Sequence, residues 1–157
     1  MLNCNDTKLQ KLFVIILNLK QSVSKRANTE NILKNTFTKQ ERLKSKCYFD
    51  TIFSKGKSTK AYPIRAIYLG FTSENFDSCN FISNKTQVAF AVPKRKFKKA
   101  TDRNRIKRQM REAYRLNKSL LNKNMAIVFV YLPYEKSSYE SIEKAMKKIL
   151  ENLNNEV

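Results

Sequence analysis

Between Lys94 and Lys118 this chain carries 12 Lys or Arg against two acids, Asp102 and Glu112, a local net charge of +10 (12 − 2). Like charges at that density oppose compaction unless something outside compensates them. Yet the segment has an inside and an outside. At about 100° per residue, Ile106, Met110, Ala113 and Asn117 fall on one side of a helix, while Lys107, Arg111, Arg115 and Lys118 fall on another. One helix is therefore predicted to dock on a core and still present a cationic ridge. The ridge calls for a polyanion, and a phosphate backbone suits it because each neutralised phosphate releases counterions.

The rest of the composition narrows the field. The chain has 157 residues, 41% of them hydrophobic, which is enough for one folded domain with a modest core. Its formal net charge is +19, far beyond what solubility requires. Nucleic acid is the first partner to consider and an anionic membrane surface the second, but the cationic helix lacks the broad apolar face that membrane binding needs. There is no histidine, which removes Ser-His and Cys-His nucleophiles, a His general base and His-ligated zinc. Only two glycines occur, Gly56 and Gly70, too few for a phosphate-cradling loop. Cys4, Cys47 and Cys79 form no CxxC pair and read as three incidental thiols in a reducing cytoplasm. No catalytic residue and no metal site are expected in the chain itself.

Residues 1–36 stand apart, with the short apolar run Leu12–Leu17 followed by a polar stretch. The run is too short to span a bilayer, and no small-x-small cleavage site follows it directly. A frayed extension or a short amphipathic helix is expected there, and a domain over 37–157. Thr38-x-x-Glu41 has the form of a capping box, but Leu43 is out of phase with Phe49, Ile52 and Phe53. The first helix is therefore placed from a Ser45 N-cap to a stop at Gly56. Ala61–Phe71 reads as a strand with Pro63 near its start, 73–85 as a polar connection, and Thr86–Val92 as a second strand. The basic helix runs to about Asn122. Met125–Leu132 has the near-continuous apolar character of a strand buried on both faces. Ser137-x-x-Glu140 then caps a last helix with the stripe Ile142, Met146, Ile149, Leu150 and Leu153. The order αββαβα predicts an α+β fold with a small sheet.

Two stretches also carry a family likeness. VPKRKFKKATDRNRIKRQMREAYR, with RLKSKCYFDTIFSKGKS upstream of it, resembles the bacterial ribonuclease P protein component over roughly Phe37 to Leu153. The motifs stand in the expected order, although Lys98 occupies a loop position where the family usually has glycine. The resemblance implies a mixed sheet in which the basic helix joins two parallel strands by a left-handed crossover. It implies a subunit of an endoribonuclease that binds a catalytic RNA and precursor tRNA, assists removal of the tRNA 5′ leader, and leaves the chemistry and most of the Mg2+ to the RNA. DNA and membrane are not implied as partners.

By the same resemblance, Lys94, Arg95, Lys96, Arg103, Asn104, Arg105, Lys107, Arg108, Arg111 and Arg115 would contact the RNA subunit. Asn104 could equally cap the helix, and Glu112 reads as an ion-pair partner for Arg108 or Arg115. The 5′ leader would lie in a cleft between the first helix and the sheet, against Phe49, Phe53, Arg65, Ile67 and Tyr68. Arg65 and Ile67 share one strand face, and Tyr68 lies on the other. Plain core packing is the competing reading of Phe49 and Phe53. A basic RNA-binding or ribosome-assembly protein with no nuclease role is the competing reading of the whole.

Overall fold

The apolar run Met125–Tyr131 becomes β4, the spine of the sheet, and all but Val130 of its residues are buried. The computed structural model describes residues 36–71, 76 and 85–155. The expectation of a frayed or helical extension over residues 1–35 lies outside the described residues. The chain divides into Met1–Thr36 and Phe37–Val157, and the second unit holds everything that follows.

Its elements are α1 (Lys46–Lys55), β1 (Lys57–Ala61), β2 (Ile64–Gly70), β3 (Gln87–Ala91), α2 (Ala100–Asn117), a 3-10 turn (Lys118–Leu120), β4, and α3 (Tyr139–Asn155). The sheet runs β1-β2-β4-β3. Both β1 and β4 lie antiparallel to β2, whereas β3 and β4 are parallel and joined through α2. The α+β class and the small mixed sheet hold. The sequence order lacked β1, whose residues KSTKA are polar and give no alternating signal. What reads as one strand from Ala61 is a hairpin, with Ala61 closing β1, Tyr62 and Pro63 turning, and Ile64 opening β2. The Tyr62–Pro63 peptide is cis.

One face of the sheet is sealed. Ala66, Tyr68, Val88, Ile127 and Phe129 pack beneath Ile106, Met110 and Ala113 of α2 and the whole predicted stripe of α3. Four rings interlock there: Phe90 stacks on Phe129 at 5.8 Å, and Tyr114 meets both at 6.0–6.1 Å, with Phe37 closing from outside at 5.8–5.9 Å. Each fully buried large apolar side chain of this kind contributes about 1.5–3 kcal/mol.

The opposite face is only partly covered. Helix α1 sets Tyr48 and Ile52 onto Leu69, Ala126 and Val128, leaving Ile67, Ala89, Ala91 and Val130 half-buried. Gly56 ends α1 where expected, but for another reason than the left-handed turn that glycine usually serves there. Its φ is −71°, and a Cβ would stand 2.2 Å from the Ile52 carbonyl oxygen, so glycine is required by close approach.

Other helix ends differ in detail from the sequence reading. Ser45 occupies the N-cap position of α1 without a side-chain capping bond. Helix α2 stops at Asn117, whose buried side-chain amide donates to the Ala113 carbonyl and competes with the helix ladder. Ser138 rather than Ser137 caps α3, accepting from the Ser141 N–H at 3.3 Å, because Ser137 is engaged with the Tyr131 hydroxyl at 2.8 Å. The capping-box pattern at 38–41 does form its Glu-to-backbone half, Thr38 N–H to Glu41 at 2.8 Å, but in a turn with no helix after it. That turn leads residues 41–43 onto the outer edge of β3, where Val88 donates to Glu41 at 2.8 Å and Leu43 donates to Val88 at 3.0 Å. Cys47 is disulfide-bonded, which corrects the expectation of incidental thiols.

Candidate nucleic-acid interface

The cationic segment sorts into residues that build the site and residues that face out of it. Phe97 is buried against Tyr131 at 5.8 Å and anchors the loop entering α2. Arg103 reaches back and donates to the carbonyls of Phe97 and Lys98 at 2.7 and 2.6 Å. Lys96 donates to the Leu132 carbonyl and lies over the Tyr134 ring, 4.6 Å from its centre. No described residue has a positive φ, so the loop accepts Lys98 where the family usually has glycine.

At the far end of α2, Arg115 forks onto Glu112 with contacts of 2.6 and 2.9 Å. That hydrogen bond holds the Glu112 carboxyl below its usual range and raises the guanidinium. Lys118 pairs with Glu41 at 2.6 Å, both largely buried, tying the helix end to the segment over β3. Asp102 pairs with Lys136 at 2.8 Å, and its carboxyl is lowered chiefly by that hydrogen bond.

Lys94, Arg95, Lys98 and Lys99 remain exposed in the loop, with Asn104, Arg105, Arg108 and Arg111 exposed on the helix and Lys107 half-exposed. Thr101, Asn104, Arg105, Arg108 and Gln109 line a shallow open hollow. Asn104 sits within the helix rather than at its cap, since the N-cap position is Lys99. Of the RNA-contact candidates, Arg103, Lys96 and Arg115 thus have a structural partner already, and Arg105, Arg108 and Arg111 carry the outward charge.

The cleft is assembled from the open face of the sheet. Register aligns Ser58, Ile67, Val128 and Ala89 in one row across the strands, and Lys60, Arg65, Val130 and Ala91 in the next. Its floor is therefore half apolar and lined by small alanines, with Arg65 held to Ser58 at 3.1 Å. Phe49 packs half-buried at the helix wall, while Phe53, one turn on, is 60% exposed. Tyr68 does not reach this site. It is 2% exposed on the sealed face, because period-two alternation turns it away from Arg65 and Ile67. The alternation of QVAFA placed Ala89 and Ala91 on the cleft side, a signal the sequence reading left unused, and missing β1 hid the place of Lys60.

Among the described residues no three Cys, Asp or Glu side chains gather as a metal site. The carboxylates beside the basic helix, Asp102, Glu112 and Glu41, are each engaged by a cation and are poorly suited to a divalent ion. No helix among the described residues is long and apolar enough to cross a membrane.

Fold and surface together define a small α+β protein that turns a fixed arginine-rich helix and a partly covered sheet face toward solvent. Residues 37–154 match the Ribonuclease P family. The ribonuclease P protein component of Porphyromonas gingivalis is 36% identical over 121 residues, spanning 72% of this chain and 82% of that one. That of Thermotoga maritima is 35% identical over 105 residues, spanning 67% and 79%. The solved structure of the Thermotoga maritima protein superposes with a TM-score of 0.58 at 23% identity, covering 71% of this chain and 96% of that one. The Staphylococcus aureus protein gives 0.58 at 21%, covering 72% and 94%. At such identities the structures speak for the fold. The chain belongs to the ribonuclease P protein family.

Proposed function

We propose that this chain binds the catalytic RNA of ribonuclease P through the outward cations of α2 and its entry loop, and holds the single-stranded 5′ leader of precursor tRNA in the cleft under α1. The enzyme it serves removes that leader by phosphodiester hydrolysis in the cytoplasm. In this reading the RNA supplies the chemistry and holds the Mg2+, while the protein screens phosphate repulsion and positions substrate. The observation that carries it is the separation of roles among the cations: Arg103 and Lys96 fix the loop, whereas Arg105, Arg108 and Arg111 are exposed and form no salt bridge among the described residues. Arginine's planar fork suits phosphate, which accepts two parallel bonds. A half-apolar floor with Phe53 and Arg65 at its margin suits an unpaired strand, whose bases stack while its backbone seeks charge.

Reconstitution tests this directly. The chain alone should not cleave precursor tRNA, and with a bacterial ribonuclease P RNA it should restore correct 5′ cleavage at magnesium concentrations where that RNA alone is slow. Cleavage by the RNA-free protein would overturn the division of labour. No stimulation of the RNA at limiting magnesium would overturn the subunit role.

A further inference from the structure

Two tyrosines are unusually exposed for their size, Tyr62 at 76% and Tyr134 at 70%. They are far apart in sequence, yet their loops meet: Leu132 N–H donates to the Pro63 carbonyl at 3.0 Å, joining the β1–β2 turn to the segment after β4. Lys96 adds the third loop, bonding the Leu132 carbonyl and setting its ammonium over Tyr134. The three loops close one end of the sheet, directly beyond the Lys60–Arg65–Val130–Ala91 row of the cleft floor. Lys94, Arg95, Lys98 and Lys99 are exposed in the same loop that carries Lys96.

We infer that Tyr62 and Tyr134 form a base-stacking platform that extends the cleft toward the basic loop and takes unpaired nucleotides of the RNA strand lying in it. An exposed tyrosine loses little rotamer freedom when a base stacks on it, and every base offers a π-face, so the contact is tolerant of sequence. Lys96 covers one face of Tyr134 and restrains the ring, leaving the ring otherwise accessible. The surrounding cations answer the phosphates between stacked bases. A single strand is the occupant the surface favours, because a duplex has no free base faces to offer. The platform rests on the cleft holding single-stranded RNA, as proposed above.

The test uses the full chain and a fluorescently labelled single-stranded RNA oligonucleotide, with binding read by anisotropy and folding by circular dichroism. Variants are Tyr62→Ala, Tyr134→Ala and both Tyr→Phe changes, set beside Phe53→Ala and Arg65→Ala in the cleft. Each Tyr→Ala should weaken single-strand binding by roughly 5- to 100-fold, with duplex RNA binding unchanged and Tyr→Phe close to the parent. If only the cleft variants weaken single-strand binding, the platform is overturned and the cleft reading stands. If neither set does, the cleft reading falls and the platform with it. Equal losses on duplex and single strand would also overturn it, since they mark general phosphate affinity. Self-association lost in Tyr→Ala variants without change in RNA affinity would assign the patch to a second copy and overturn the RNA role.

Discussion

The two faces of the sheet are built from the same alternating strands and finished in opposite ways. On the sealed face, Phe129 and Tyr131 are fully buried and Tyr68 and Tyr114 nearly so, under two long helices. On the open face one short helix, with Leu43 and Phe76, covers only part of the sheet, and small, half-buried Ala89 and Ala91 stand on the remainder. The comparison teaches that, in the proposed reading, stability and recognition fall on different sides of one β4. The face proposed to receive RNA is the less packed one, and the other side makes up the difference.

The sharpest way to break that contrast is a pair of phenylalanines. Phe129→Ala on the sealed face should cost about 3–5 kcal/mol in denaturant unfolding, from lost transfer energy and a cavity between packed rings. Phe53→Ala should leave the melting transition nearly unmoved and weaken precursor tRNA by roughly 1–3 kcal/mol, with mature tRNA unaffected. Half-buried Phe49 should show both effects when truncated. Equal destabilisation by Phe53→Ala and Phe129→Ala would erase the distinction and return the open face to ordinary core.

A smaller effect separates the cations. Arg105→Ala and Arg108→Ala should each lower the slope of log K against log salt for RNA-subunit binding by about one unit without changing the melting temperature. Arg103→Ala should instead lower stability through the freed carbonyls of Phe97 and Lys98, and the slope would fall less. If Arg103→Ala shifted the slope alone, the loop-holding role would be wrong.

Smallest near neutral pH is the contribution of Tyr114. Burial first, and then the nearby Glu41 carboxylate, raise its pKa above the ordinary 10.0. The folded state therefore favours the protonated phenol. The associated stability is complete below the unfolded pKa and is lost as pH rises past it toward the folded value. Tyr114→Phe should flatten the fall in unfolding free energy above pH 10 while changing little at neutral pH. An equally steep fall in the variant would assign the alkaline loss to other tyrosines.

Sequence periodicity revealed most of the architecture because burial writes itself as period. The α2 stripe at Ile106, Met110, Ala113 and Asn117, the α3 stripe and the β4 run are buried as patterned, except for half-buried Val130 and Leu132 in the run. Edge strand β1 was invisible because an exposed polar strand has no apolar alternation to read, and the hairpin therefore read as one strand. The charge segment was legible as a whole and illegible in its parts. Nothing in the sequence distinguishes an arginine that bonds two carbonyls of its own loop from one that faces solvent, since that depends on where the loop folds back. Tyr62 and Tyr134 escaped for the same reason: the meeting of their loops, through the Leu132–Pro63 hydrogen bond, is a property of the fold and of no local motif.

The segment 41–43 that lies along β3 has a consequence beyond the site. An open four-stranded sheet ends in two rows of unpaired backbone groups, and either row is a template on which further strands can add. Here one row is bridged by the chain's own residues through Val88. The other belongs to β1, a short strand carrying exposed Lys57 and Lys60. Both margins thus discourage edge-to-edge growth, one by occupation and one by charge, so the chain can leave part of a sheet face uncovered without inviting aggregation of its strands.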